Sequence, residues 1–182
     1  MCMIAVNKSI LVRADLSQKD EIDIGGNTFK TGKGYNENFR ERNPVVAYVE
    51  RGTIEIPNGS YIVCNFNYFE EESPLRLSDN LFSIPINEEI FAIVDNKGEL
   101  HPVYGNLFVE RVTKETKIEL PEELKKPHAN QGIISKNVRG FKKGDYVFWL
   151  PFSDYEIVYS WNGEEKRVIK VHYNEMVGIL KS

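Results

Sequence analysis

The chain has 182 residues, of which 41% are apolar and 27% are charged, and its formal net charge is −4. This composition is typical of a folded globular protein and excludes a disordered chain. The mild negative charge and the absence of a clustered basic face argue against a nucleic-acid partner. No apolar run approaches the ~20 residues of a membrane helix, so we expect no membrane partner.

The cellular compartment is predicted from the cysteines and the start of the chain. The two cysteines, Cys2 and Cys64, make neither a disulfide framework nor a metal cluster, which favours a reducing compartment. The first 13 residues lack the basic start and long apolar run of a signal peptide. We therefore expect a cytoplasmic protein.

The first half of the chain predicts short strands separated by turns. Strand-length runs rich in β-branched and aromatic residues cover 10–13, 44–50, 61–69, 75–86 (broken by Asp79-Asn80) and 88–94. Between the first two runs, residues 16–42 are polar and rich in glycine. A long segment of this kind is often functional or mobile, so we predict a loop without secondary structure there.

The second half repeats this organisation after a short polar linker at residues 95–98, which divides the chain into domains 1–95 and 96–182. Predicted strands cover 107–112, 132–135, 146–149, 156–161, 166–171 and 176–180, and residues 113–131 form a second polar loop. Asn162-Gly163 is a strong hairpin signal between two of these strands. No apolar periodicity of 3.6 residues persists, so we expect little helix.

Four segments of the first half recur in the same order in the second half. The matched pairs, each followed by its offset, are Ile10 and Leu107 (97), Val45 and Ile133 (88), Gly59 and Gly144 (85), and Ile90 and Met176 (86). Repeats of this kind indicate two copies of one small β-domain. The fold class predicted is therefore all-β, with two similar domains in tandem.

The sequence contains no recognisable reaction centre. None of the three histidines has another His or Cys at metal-ligand spacing, so no metal site is predicted. A nucleophile elbow and an acid–base pair are also missing from the sequence. We therefore expect a binding protein with no catalytic residues and no cofactor, rather than an enzyme.

The second half resembles the chaperonin-10 (GroES-like) family, the small lid partner of the bacterial chaperonin. The resemblance rests on Lys-Lys-Gly-Asp-Tyr-Val-Phe at 142–148, on Asn-Glu-Met-Val-Gly-Ile-Leu at 174–180, and on the loop at 115–127 followed by Gln-Gly-Ile-Ile. The first half is similar more loosely, at residues 24–32 and 88–94. Together these pieces cover nearly the whole chain as a tandem.

The resemblance implies two tandem GroES-like partly open β-barrels, assembled into a homo-oligomeric ring through terminal strands. It also implies mobile loops that bind a large ATP-dependent chaperonin and thereby assist the folding of an unfolded protein substrate. The chaperonin-binding residues carried over are Ile118, Glu119, Leu120 and Pro121 in the second half, and Asn27, Thr28 and Phe29 in the first.

The chain departs from the family pattern in ways that leave a second interpretation open. Glu119 stands where an apolar residue is usual, and neither half has room for the long roof hairpin of the family. Phage-encoded lid proteins are similar in lacking the roof, which would place this chain in a host cytoplasm, and a chloroplast form is similar in being a tandem. The alternative is a GroES-fold structural or assembly protein, for example a virion component, that does not bind a chaperonin.

Overall fold

A computed structural model of the chain describes residues 8–14, 21–31, 35–36, 41–70, 72–112, 130–138, 140–161 and 164–182. Within these residues the fold is all-β, as predicted, and every strand pair is antiparallel. The only helical turns described are 3₁₀ turns at Phe66–Phe69 and Tyr173–Glu175.

The strands are β1 (Ser9–Arg13), β2 (Glu21–Ile24), β3 (Asn27–Lys30), β4 (Tyr35–Asn36), β5 (Glu41–Arg42), β6 (Val45–Arg51), β7 (Tyr61–Cys64), β8 (Arg76–Ser78), β9 (Leu81–Pro85), β10 (Ile90–Val94), β11 (Leu100–Pro102), β12 (Asn106–Arg111), β13 (Gln131–Ile134), β14 (Tyr146–Trp149), β15 (Asp154–Trp161), β16 (Glu164–His172) and β17 (Met176–Leu180).

The chain divides into two compact units. The first contains Met1–Tyr104 and Ile157–Lys166, and the second contains Gly105–Glu156 and Arg167–Ser182. The predicted linker at residues 95–98 forms the turn between β10 and β11 of the first unit.

The first unit is built on a sheet with the strand order β11-β10-β7-β6-β1-β9-β8. Its apolar side chains make a continuous core because successive strands each contribute inward-facing residues. The fully buried members include Ile10, Val12, Val49, Ile62, Phe82 and Ile84. Phe69 packs edge-on against Phe82, with 4.9 Å between ring centroids.

Six consecutive strands of the second, eight-stranded sheet have the order β17-β14-β13-β12-β16-β15, which matches β10-β7-β6-β1-β9-β8 of the first sheet strand for strand. The residue register matches as well. Val12 pairs with Val49 as Val109 pairs with Ile134, and Ile10 pairs with Ile84 as Leu107 pairs with Val171. These pairings confirm the predicted duplication and the offset of 97 for the first strand. Both sheets are open rather than closed barrels.

The duplication extends to an irregularity in the last strand of each copy. Between β10 and β7, Ile90 pairs with Cys64 and Ala92 with Val63, so Phe91 is an extra residue on β10. Between β17 and β14, the pairs formed by Met176 and Gly178 leave Val177 as the extra residue. A β-bulge is a defined feature of a strand, so its recurrence supports a common origin for the two copies.

One of the four predicted offsets is wrong. Val45 was matched to Ile133, but the carbonyl of Val49 accepts from the Gly59 amide as that of Ile134 accepts from the Gly144 amide. The offset in this strand is therefore 85, not 88. An apolar run can be slid along another run by a few residues, whereas strand register is decided by the partner strand.

The predicted loop over residues 16–42 is wrong where the structure describes it. β2 and β3 form a hairpin, with Ile24 paired to Asn27, and β4 pairs with β5. Gly25 and Gly26 have φ values of 58° and 82°, as a two-residue type I′ turn requires. The Gly-Gly dipeptide was therefore the signal that the prediction missed.

The predicted strand at 61–69 is too long. β7 ends at Cys64, and the chain then enters a 3₁₀ turn because the Asn65 side chain accepts a hydrogen bond from the Asn67 amide at 3.0 Å. In the second unit, the Trp149 side chain lies in the core and is 2% exposed.

Candidate functional site

The second predicted binding segment lies between two described strands, β12 and β13. Ile118, Glu119, Leu120 and Pro121 lie outside the described residues. β12 ends shortly before this segment and β13 begins shortly after it, and the two strands are paired there, Arg111 with Gly132. The described residues on either side of the segment therefore lie on neighbouring interior strands of the sheet.

The first predicted binding segment is a strand of the first unit. Asn27, Thr28 and Phe29 lie in β3. Phe29 is 0% exposed and its ring stacks on that of Tyr159, with 5.4 Å between centroids and 10° between planes. In this position Phe29 offers no surface to a partner, which is the reverse of what an anchor on a mobile loop requires.

Polar contacts hold the β2–β3 hairpin at several points. The buried Asn27 side chain donates to the Lys97 carbonyl at 2.8 Å, and the Thr31 hydroxyl accepts from the Val46 amide at 2.7 Å. A surface ion pair joins Lys30 to Glu165 at 3.3 Å. A buried amide that loses its partner is costly, so these contacts keep the hairpin in its folded place.

The most distinctive surface of the second unit is the edge strand β17. It pairs with β14 on one side, and no described strand pairs with its other side. Val177 and Leu180 are each 62% exposed and Ile179 is 36% exposed. An apolar strand with an unpaired edge is a template for pairing with another strand.

The corresponding edge of the first unit is covered. β10 has the same place in its sheet as β17, but β11 pairs along it, with Ala92 opposite Pro102 and Val94 opposite Leu100. The residues of β10 are consequently buried, with only Ile93 partly exposed. Among the described residues, the same strand of the repeat is thus covered in one copy and unpaired along one edge in the other.

The offset of the first strand identifies the sequence counterpart of β11. β11 begins six residues before β12, and β12 corresponds to β1. The segment six residues before β1 is residues 3–5, which lie outside the described part of the chain. In the duplicated sequence, residues 3–5 are therefore the counterpart of β11.

The end of β17 is fixed by the buried carboxylate of Asp145. This carboxylate accepts hydrogen bonds from the Lys142 amide at 2.8 Å, the Lys181 ammonium at 2.9 Å and the Ser182 amide at 3.2 Å. The Lys142 amide and then the Lys181 side chain lower the pKa of Asp145 to about 2. These contacts hold the end of β17 beside the start of β14.

Sequence reasoning missed a cluster of metal-ligating side chains, Asp95, Glu99 and His101. The signal in the sequence is the spacing Asp-x-x-x-Glu-x-His. It contains no His or Cys beside His101, and the three side chains meet only because a turn between two strands brings them together.

No protein-family model matches the chain, and no curated protein sequence matches it significantly. In the described part of the chain, no helix is long and apolar enough to cross a membrane.

Proposed function

We propose that this chain is a ring-forming, co-chaperonin-like lid that binds a chaperonin and encloses folding protein, without a reaction centre of its own. The observation that supports it best is the contrast between the two equivalent edges, β10 covered by β11 and β17 open. A chain that covers one edge internally and leaves its repeat open is suited to head-to-tail assembly, because each copy can cover the open edge of the next.

The assembly contact follows from the repeat. A second copy supplies the segment equivalent to β11, residues 3–5, to the open edge of β17. Main-chain hydrogen bonds provide the pairing, and burial of Val177 and Leu180 contributes up to roughly 1.5–3 kcal/mol for each side chain. The donor segment and the acceptor strand are different surfaces, so the contact is heterologous. Successive copies close into a ring when the rotation from one copy to the next divides a full turn evenly.

The chaperonin contact is assigned to Ile118, Glu119, Leu120 and Pro121. Burial of Ile118 and Leu120 contributes roughly 1.5–3 kcal/mol for each, and ordering the loop costs ~1–2 kcal/mol per residue. A single contact is therefore weak. Several contacts presented by one ring bind together through their high effective concentration, and weak individual contacts also permit release.

Burial of Phe29 removes the equivalent anchor from the first unit, which leaves one contact per chain. This same observation favours the second candidate function, a structural or assembly protein that uses the strand edges without binding a chaperonin. The second candidate function also predicts a ring, but it gives Leu120 no role in binding a partner.

The test is capture of a purified chaperonin with ATP by the full chain, together with the native mass of the chain alone. We expect a discrete oligomer that captures chaperonin, and loss of capture in Leu120→Asp. The matched control is Leu124→Asp, the same substitution in the same loop outside the predicted contact, which should retain capture. Equal capture by both variants would contradict the assigned contact, and an oligomer that captures nothing would favour the structural candidate.

A further inference from the structure

The turn between β10 and β11 brings three potential metal ligands together. The ligand atoms of Asp95, Glu99 and His101 all lie within 4.8 Å of one another. Glu99 directly precedes β11 and His101 lies within it, so the two are separated by one residue and share a face of the chain. Asp95 directly follows β10 and faces them across the turn.

The backbone of the turn holds Asp95 in a fixed orientation. Its Oδ1 atom accepts from the Lys97 amide at 2.9 Å and from the Glu99 amide at 2.8 Å. The Asp95 amide donates a hydrogen bond to the Glu99 carbonyl at 3.1 Å, and the Asp95 carbonyl accepts one from the Gly98 amide at 2.9 Å. The Asn27 side chain, which lies outside the turn, donates a hydrogen bond to the Lys97 carbonyl within it. With Oδ1 occupied, Oδ2 is the atom directed at His101.

The spacing of these atoms suits one small divalent ion. Ligands bound at the usual 2.0–2.2 Å to a tetrahedral ion lie about 3.4 Å apart. Asp95 Oδ2 and His101 Nε2 are 3.2 Å apart in a hydrogen-bonded contact, which a bound ion would replace. The ligand atom of Glu99 lies within 4.8 Å of both.

We propose that Asp95, Glu99 and His101 form a binding site for a first-row divalent transition ion, with Zn²⁺ as the best fit. The mixture of two carboxylates and one imidazole selects the class of ion. Mg²⁺ and Ca²⁺ prefer oxygen ligands throughout, whereas zinc combines imidazole nitrogen with carboxylate oxygen. Because His101 belongs to β11, an ion here ties the covering strand to the end of β10.

The site is tested on the full chain, stripped of metal with a chelator and titrated with ZnCl₂ by calorimetry. We expect one equivalent of zinc to bind, and both His101→Ala and Glu99→Gln to weaken binding by at least about tenfold, since loss of a ligand should exceed the effect of losing an outer-shell partner. His172→Ala, a histidine substitution in the second unit, is the matched control and should bind as the wild type does.

Two further measurements distinguish zinc bound at this site from zinc bound elsewhere on the chain. Zinc should raise the melting temperature of the wild type and of His172→Ala but not of His101→Ala, because an ion that binds the folded state stabilises it. Co²⁺ in the site should give a visible spectrum without thiolate charge-transfer bands. Absence of saturable zinc binding, equal binding by His101→Ala and wild type, or a thiolate spectrum would overturn the proposal.

Discussion

Gly59 and Gly144 make the same hydrogen bond in the two copies of the repeat. The Gly59 amide donates to the carbonyl of Val49 and the Gly144 amide donates to that of Ile134, both at 2.9 Å. Both glycines have positive φ, 82° and 98° respectively. Each one turns the chain into the strand that pairs with the last strand of its copy, so the glycine is required by the backbone and not by a neighbouring side chain.

The conformation of Gly144 predicts a cost for any side chain at this position. A Cβ atom would meet only Ser182, at 3.6 Å, so space is available, but a left-handed φ costs an L-residue about 1–2 kcal/mol. Urea denaturation of Gly144→Ala should show this loss. Gly178→Ala is the control, since φ is ordinary there and the nearest atom is 3.5 Å away; a change under ~0.5 kcal/mol is expected. Equal losses in the two variants would exclude backbone strain as the cause.

The burial of Phe29 predicts a role in stability. Phe29→Ala should lower the free energy of unfolding by about 3–5 kcal/mol, because it removes a fully buried ring. The matched control is Ile54→Ala, which truncates a side chain that is 102% exposed and should change stability by under ~0.5 kcal/mol. A double-mutant cycle with Tyr159→Leu should give a coupling of about 0.5–1.5 kcal/mol for the stacked pair. A Phe29→Ala protein as stable as the wild type would show that residues 21–30 leave this position in solution.

The hydrogen bonds of Asp145 predict a dependence of stability on pH. Because the folded-state pKa of Asp145 is lowered from 3.8 to about 2, the ionised carboxylate stabilises the fold above its unfolded pKa. That contribution should be lost as pH falls from about 4 towards 2. Asp145→Asn should therefore be less stable than the wild type at neutral pH, and the difference should shrink over this interval.

The measurement is the urea midpoint of both proteins at a series of pH values. Asp79→Asn, the same substitution on a carboxylate whose side chain is fully exposed, is the control and should follow the wild type throughout. A difference between wild type and Asp145→Asn that stays constant down to pH 2 would contradict the assigned cause.

The open edge of β17 predicts an assembly that depends on two exposed side chains. Val177→Lys combined with Leu180→Lys should abolish the oligomer, since each lysine places a charge where the proposed neighbour excludes water. Native mass spectrometry or light scattering measures the result. The control is Ile54→Lys, the same change at an even more exposed apolar residue of the first unit, which should leave the oligomer intact. An oligomer that survives the double substitution would place the contact elsewhere.

Much of the fold was predictable because the strands are short, rich in β-branched residues and separated by turn residues. The predictions of β1, β6, β10 and β17 are confirmed to within two residues at each end. The repeat was predictable because Gly59 and Gly144 are needed for a backbone reason that both copies share. The β2–β3 hairpin was not predicted, since its strands are only four residues long and Ile24 and Phe29 are their only buried apolar residues.

The sequence by itself determined an all-β chain, its internal duplication and the order of its strands, because side-chain periodicity and turn chemistry are local properties. Only the tertiary structure decided that Phe29 is a core residue, that β11 covers β10 while no described strand covers β17, and that Asp95, Glu99 and His101 converge. These are relationships between residues of different strands, and strand pairing and register depend on partners that are distant in the chain.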